Sequence, residues 1–576
     1  MRQALRRPPA ERSRLVAGTR GPALLIGLGL AGLMAAVIAH ARLDPDESQH
    51  LHAAWLVGQG RVPYRDFWEH HMPLLHYALA PVTRAVPEGP AIYFVGRALM
   101  SLAAGAALVL VCLLGCRLGP EVGVAAVILL GVQWRFLQHG TAVRPDGPAL
   151  LAWLGALSML VRWRERGGTR ALVTAGFWLG VVAALTPKAA FVALGAVLVV
   201  VAASIGPAPA AARIARALAW LALGLSIPLS ILVIALGVTG GAGTLSSFVR
   251  DVIWTNLGFP DFIKQTPIGG EGVGFALLAL AGVAMTFREH GWRALQHPVH
   301  GPLLIPAAVV AVILALPTTP AVYTYTWLPV IAVASIYAGR ALVMCLGRWG
   351  LREDRRAAAM AIAALAAAIV VPVAVVAILA FPPNRANEAD WVVMRGELDY
   401  ACPGEPVLDG GPLAVFRPTA FRYPSLVQGV RAWIARGVIP ADELAGDLAR
   451  ARAPVGVFDS RVRRLPNPIA GFIDQHYLRE PSGLLVAGAN LSAADPTGET
   501  EVDVLVAGGY AVTLSSGLRA RVDGAEVVSG VLWLDDGRRR VSWMGGPGSI
   551  RLAVLPCAAA HRAEEPWHSK NRSTTP

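Results

Sequence analysis

Charge is scarce in this chain of 576 residues: Asp, Glu, Lys and Arg together make up only 15% of it. Cysteine is sparse as well, with five in all and no CxxC pair, so a zinc ribbon is excluded. The sequence also lacks a Walker A loop, the usual cradle for a nucleotide phosphate. Basic residues outnumber acidic ones by 51 to 38, giving a net charge of +13. That excess does not read as a nucleic-acid footprint, because the arginines gather in short loops between apolar runs. Such clustering marks the cytoplasmic side of a membrane protein.

Apolar residues are abundant instead, at 55% of the chain, with a mean hydropathy of +0.52. Repeated runs long enough to cross a bilayer make this a polytopic α-helical membrane protein. Residues 1–21 form a basic cytoplasmic N-terminus. The first run, Pro22–Ala39, ends in "AHA", which mimics a signal-peptidase site. It is long for a signal sequence, and we read it as an uncleaved anchor. Further spans centre on 91–115, 121–137, 147–161, 171–186, 189–205, 217–238, 271–287, 301–316, 325–345 and 357–380, about eleven in all. With the N-terminus inside, the Arg-rich loops 162–170, 288–297 and 347–356 fall inside too. An odd number of spans leaves the C-terminal part outside the cytoplasmic (inner) membrane.

The expected organisation follows. A transmembrane core covers 22–381, with an exterior loop at 40–90. An exterior mixed α/β region spans 382–482, a small β-sandwich 483–560 and a polar tail 561–576. The sandwich rests on alternating runs such as "GVLWLDDGRRRVSW", bounded by Gly and Asp turns. Cys402 and Cys557 both fall in the exterior part, where an oxidising compartment allows a disulfide. Cys112 and Cys116 sit four apart on one span and read as packing residues.

This topology brings four polar segments to one exterior face: "ARLDPDESQHLHAAW" (41–55), "RPD" (144–146), "TPK" (186–188) and "YTYTW" (323–327). Ionisable groups at span ends are costly and default to functional candidates. Residues 47–60 have the spacing of an amphipathic helix lying on the membrane, with Asp46 as its cap or first-turn carboxylate.

"DPDESQHLHAAWLVGQGRVPYRDFWEHHMPLLHYALAP" resembles the first exterior loop of the GT-C glycosyltransferases, in the branch of aminoarabinose transferases, protein O-mannosyltransferases and Rgt lipopolysaccharide-core transferases. The matching residues are Asp46-Glu47, Gly60, Pro63-Tyr64-Arg65-Asp66-Phe67 and His71-Met72-Pro73; Met72 departs from the second proline of many relatives. "VRPDGPALLAWLGAL" resembles the family's second acidic site and "LTPKAA" its Thr-Lys segment. The resemblance implies a GT-C core, a polyprenyl-phosphate sugar as donor, and an acceptor hydroxyl on an envelope glycan, lipid or protein. The partners are then the bilayer, the donor and that acceptor, with no nucleic acid.

Inverting glycosyl transfer needs a carboxylate to take the proton of the attacking hydroxyl and positive charge to meet the departing phosphate. Asp46 is the candidate base, supported by Glu47, with Asp146 as a second carboxylate. Lys188 is the leading phosphate partner, since a lysine at an exterior span end runs against the charge bias; Arg144, Arg250 and Lys264 follow. Tyr64, Arg65, Asp66, His71, Tyr323 and Tyr325 are candidates for the substrate groove. Each has a plainer reading: helix cap, ion pair, snorkelling lysine or aromatic-belt anchor. A divalent metal is left open, with His50 and His70 as weak candidate ligands. Two other functions compete, a flippase for lipid-linked saccharide and a non-catalytic polysaccharide-binding scaffold. A flippase calls for mid-membrane polar residues and repeated halves, which the sequence does not clearly display.

Overall fold

The computed structural model describes residues 9–204, 210–257, 265, 272–319, 322–348 and 385–560. The chain separates into two compact units. The first, a helical unit, takes in Met1–Arg42, His70–Leu75 and Phe94–Asn384; the second, a mixed α/β unit, takes in Leu43–Glu69, His76–Tyr93 and Arg385–Pro576.

In the helical unit, four helical stretches among the described residues are long and apolar enough to cross a membrane: Ala91–Gly115, Ala211–Gly240, Val273–Gln296 and Thr324–Leu346. The apolar helices Thr169–Leu185, Ala189–Ser204 and His300–Ala315 are shorter, at 17, 16 and 16 residues. The run expected to cross at 121–137 is a helix Pro120–Gly131 and a second, Trp134–Thr141, bent by 71°, a broken span or a re-entrant pair. Gly131 presses against Leu30, so a Cβ there would stand 2.6 Å from a leucine methyl. The expected span 357–380 lies outside the described residues, and the count of eleven is not reached among those described.

Small residues set the helix spacing, as membrane helices require when no solvent drives them together. Gly176 and Gly224 bring helix Thr169–Leu185 against helix Ala210–Gly240; a Cβ on either would lie 2.0 Å from a carbonyl oxygen of the other helix.

Among the described residues the mixed unit carries ten strands: β1 (Val455–Val457), β2 (Tyr477–Arg479), β3 (Leu484–Ala493), β4 (Thr497–Val504), β5 (Gly508–Leu514), β6 (Arg519–Val522), β7 (Ala525–Val527), β8 (Gly530–Leu534), β9 (Gly537–Met544) and β10 (Gly548–Val554). One sheet runs β1-β3-β10-β5-β8, with β2 also on β3; the other runs β4-β9-β6-β7. Every pair is antiparallel. Strands β1 and β2, from the 382–482 region, pair with β3. Residues from both sheets, among them Val502, Val541, Val512 and Leu552, enter one buried core shared with Trp68, Val393 and Leu444. A disulfide joins Cys402 to Cys557, with Cα atoms 5.2 Å apart.

Candidate active site

Helix Pro45–Gly58 of the mixed unit starts with a capping box. The Asp44 side chain accepts from the Asp46 N–H at 2.9 Å, and the Glu47 carboxylate accepts from the Asp44 N–H at 3.0 Å. Pro45 follows at the first helical position, where its missing N–H costs nothing. Asp44 is thus the cap; Asp46, half-buried, is a first-turn carboxylate favoured by the helix dipole. Glu47 is fully buried.

This helix does not lie on a surface. Eleven of its fourteen residues, from Glu47 to Leu56 and Gly58, are buried, so the expected polar face is covered by protein. His52 sits in that interior, its Nδ1 2.9 Å from the Val415 carbonyl. Burial holds its pKa down to about 4, so the ring is neutral at pH 7. His50 Nδ1 meets His76 Nε2 at 3.1 Å, and Glu69 lies 4.0 Å from the same nitrogen. Gln49 donates to Glu69 at 3.4 Å. All four side chains are buried, and sequence reasoning missed Glu69, His76 and Gln49. The facing nitrogens of His50 and His76 lie within hydrogen-bond distance of each other.

The "PYRDF" segment folds into a tight turn. Tyr64 is fully buried at φ 68°, and its N–H donates to the Phe67 carbonyl at 2.9 Å. Asp66 accepts from the Val62 N–H at 2.7 Å and pairs with Arg65 at 2.8 Å. The Arg65 side chain, through that hydrogen bond, holds the Asp66 carboxyl below its usual range. These contacts build the loop.

In the helical unit the second acidic segment and the Tyr-rich segment meet. Helix Asp146–Arg166 opens at Pro145, which puts Asp146 in its first turn. Gly147 allows close approach, since a Cβ would lie 3.0 Å from the Gly140 carbonyl oxygen. Arg144, only 5% exposed, donates from Nε to Asp146 at 3.1 Å. Its guanidinium lies 4.1 Å from the centre of the Tyr325 ring, and the Lys188 ammonium lies 4.3 Å from the same ring. Lys188 belongs to the Thr186–Lys188 break between two helices, where its N–H faces Thr186 Oγ1 at 3.4 Å. Tyr323 stacks on Tyr325 at 5.2 Å.

Their frame was not visible in the sequence. His139 Nε2 contacts Thr324 Oγ1 at 2.9 Å, and its ring meets Tyr325 edge-on. Gln265 receives the Thr324 N–H and the Trp327 indole N–H. A cavity of about 50 Å³ lies against Asp146, Trp153, Thr186, Lys188 and Tyr325, room for water rather than for a sugar. A larger apolar cavity, about 680 Å³, is lined by Gly27, Leu30, Met34, Leu102 and Gly105 among others.

Arg250 pairs with Asp251 at 2.7 Å and is 62% exposed. Lys264 lies outside the described residues. The His70 and His71 rings lie tilted against each other with centres 3.9 Å apart, and the His70 carbonyl accepts from Asn256.

Residues 70–234 match the sequence profile of the family described as dolichyl-phosphate-mannose-protein mannosyltransferase. No curated protein sequence matches. In three dimensions the chain is similar to ArnT from Cupriavidus metallidurans bound to undecaprenyl phosphate, at 12% identity and a TM-score of 0.53, over 81% of this chain and 98% of that one. The apo state of that ArnT gives 13% identity and a TM-score of 0.52, over 82% and 98%. The chain therefore shares the fold of that ArnT, and residues 70–234 match the sequence pattern of the dolichyl-phosphate-mannose-protein mannosyltransferase family.

Proposed function

We propose that the protein is an integral-membrane glycosyltransferase that moves a sugar from a polyprenyl-phosphate donor to an acceptor hydroxyl outside the cytoplasmic membrane. The observation that carries this reading is the pair of cations, Arg144 and Lys188, held against Tyr325 beside Asp146. Like charges repel, and two of them kept on one ring are arranged for an anion. A lipid phosphate supplies that anion and needs no nucleotide fold. The apolar cavity bordered by Gly27 and Gly105 offers its hydrocarbon chain a seat in the same unit.

The division of labour follows from the residues. Arg144 and Lys188 neutralise charge growing on the phosphate as its bond to the sugar C1 breaks. Asp46 takes the proton of the acceptor hydroxyl while the new C1–O bond forms, with inversion at C1. Glu47, tied into the capping box, fixes the turn that carries Asp46. The acceptor is an envelope glycan, lipid or protein.

Purified protein reconstituted with radiolabelled polyprenyl-phosphate sugars and envelope extract should label the extract. Absence of transfer from every donor tried would overturn the reading. A cysteine placed beside Asp46 should react with an impermeant thiol reagent from outside, and one within 162–170 should not; the reverse pattern would overturn the orientation.

A further inference from the structure

The segment "VFDSRVRRL", 457–465, carries three arginines and a single aspartate, and that aspartate shapes the loop. Asp459 Oδ1 accepts from the Arg461 and Val462 N–H groups, both at 2.8 Å, which sets the short turn Val462–Arg464. Buried Val462 and Leu465 anchor the turn, and the Phe458 N–H donates to the Gly483 carbonyl at 2.9 Å. The Arg461 guanidinium also turns inward, onto the Gly410 carbonyl at 2.9 Å. Arg463 and Arg464 are left exposed, and among the described residues neither forms an ion pair. Half-buried Phe458 then gathers two cations. The Arg479 guanidinium carbon, carried by β2, lies 4.0 Å from its ring centre, and that of Arg463 lies 5.5 Å away. Asp474 pairs with Arg479, and the charges of Arg463 and Arg464 stay in excess.

We propose that Phe458, Arg463, Arg464 and Arg479 form a docking surface for an anionic glycan, a chain that carries phosphate or carboxylate groups at intervals. A guanidinium held against an aromatic ring keeps its N–H edge for oxygen anions and loses little freedom when it pairs. Like charges gathered on one ring repel, and an anion between them relieves the repulsion. A small anion calls for donors converging in a buried pocket, whereas these arginines stand exposed on two segments, 463–464 and 479. That open arrangement suits an extended polymer, whose separate weak contacts reinforce one another through effective concentration. A neutral chain gains nothing from the charges. In the transferase reading, on which this role rests, the surface keeps the acceptor at the enzyme, and the acceptor is an anionic envelope glycan.

Binding of dextran, dextran phosphate and polygalacturonate of matched length to the full chain in phosphatidylcholine discs tests the surface without any transfer assay. The native protein should bind the two charged polymers and not dextran, with affinity falling as salt rises. Arg463→Met, Arg464→Met and Arg479→Met combined should weaken that binding about 10-fold. Phe458→Leu keeps an apolar side chain, removes the ring and should weaken it about 3-fold. Arg538→Met with Arg540→Met removes two exposed arginines of β9 that pair with Glu501 and Glu499, and should change it by less than about 2-fold. Equal losses from the β9 pair and the triple variant would overturn the proposal, as would native binding of dextran as tight as that of the charged polymers. A native protein that captures phosphatidylglycerol vesicles but neither charged polymer would assign the surface to a membrane and overturn it too. The native comparison stands whichever variants fold. Charge-dependent binding without transfer to any acceptor would count against the transferase reading while leaving the docking surface established.

Discussion

Asp44 and Asp46 differ by two positions and are expected to fail in opposite ways. Asp44→Ala removes the side chain that accepts the Asp46 N–H, which costs about 1 kcal/mol, with a range of roughly 0.5–2. It also removes a negative charge at the positive end of the helix, worth about 0.3–1 kcal/mol more. The sum is about 2 kcal/mol, a fall of several degrees in unfolding temperature for a unit of this size. Asp46→Asn behaves differently, because the capping box uses only the backbone N–H of Asp46 and both cap bonds survive. The loss of its first-turn charge costs about 0.5 kcal/mol. Thermal unfolding in detergent and transfer from a radiolabelled polyprenyl-phosphate sugar should be measured on the same preparations. Asp44→Ala should unfold earlier yet transfer in proportion to its folded fraction, whereas Asp46→Asn should stay folded and lose transfer. Full transfer by Asp46→Asn would refute its role as base. A larger stability loss in Asp46→Asn than in Asp44→Ala would refute the assignment of the cap.

The other expectations concern the cation pair and the disulfide. Lys188→Met should raise the KM for the lipid donor by roughly 10- to 100-fold, as expected for one charge-assisted bond, while the unfolding temperature holds. Tyr325→Phe keeps the ring and should act nearly as the native protein; Tyr325→Ala releases both cations and should cost about 1–2 kcal/mol in donor binding, read as KM. Equal effects from both Tyr325 variants would show that the hydroxyl matters and the ring does not. Cys402→Ser opens a loop closed over 155 residues, for which chain entropy gives about 5 kcal/mol as an upper figure. The mixed unit of that variant should unfold well below the native protein in non-reducing buffer, and an unchanged transition would show that the bond carries no stability.

How much of this was legible in the sequence depended on whether the signal was local. "DPDE" spells a capping box, with an acceptor at Asp44, a proline at the first helical position and Glu47 three residues after the cap. The helix was therefore readable at its start, though Asp46 drew attention away from the true cap. Its environment was not readable. A helix with Leu51, Ala54 and Trp55 on one side suits a membrane surface equally well, and what covers His52 comes from Val415, 363 residues along the chain. Periodicity gives the face that seeks cover and not the partner that supplies it.

The site divided along the same line. Charge that breaks a statistical habit was visible, so Arg144, Asp146 and Lys188 stood out, and the structure groups Arg144 and Lys188 about Tyr325. Neutral groups that hold them in place, such as His139 and Gln265, broke no pattern and were passed over. The same reasoning covers Asp409 and Glu397, two buried carboxyls of the mixed unit. Each is an ordinary acidic residue in a polar stretch, and only the fold shows that water has been removed from both. A carboxyl becomes chemically distinctive through what surrounds it, and burial is the property a lone sequence records least.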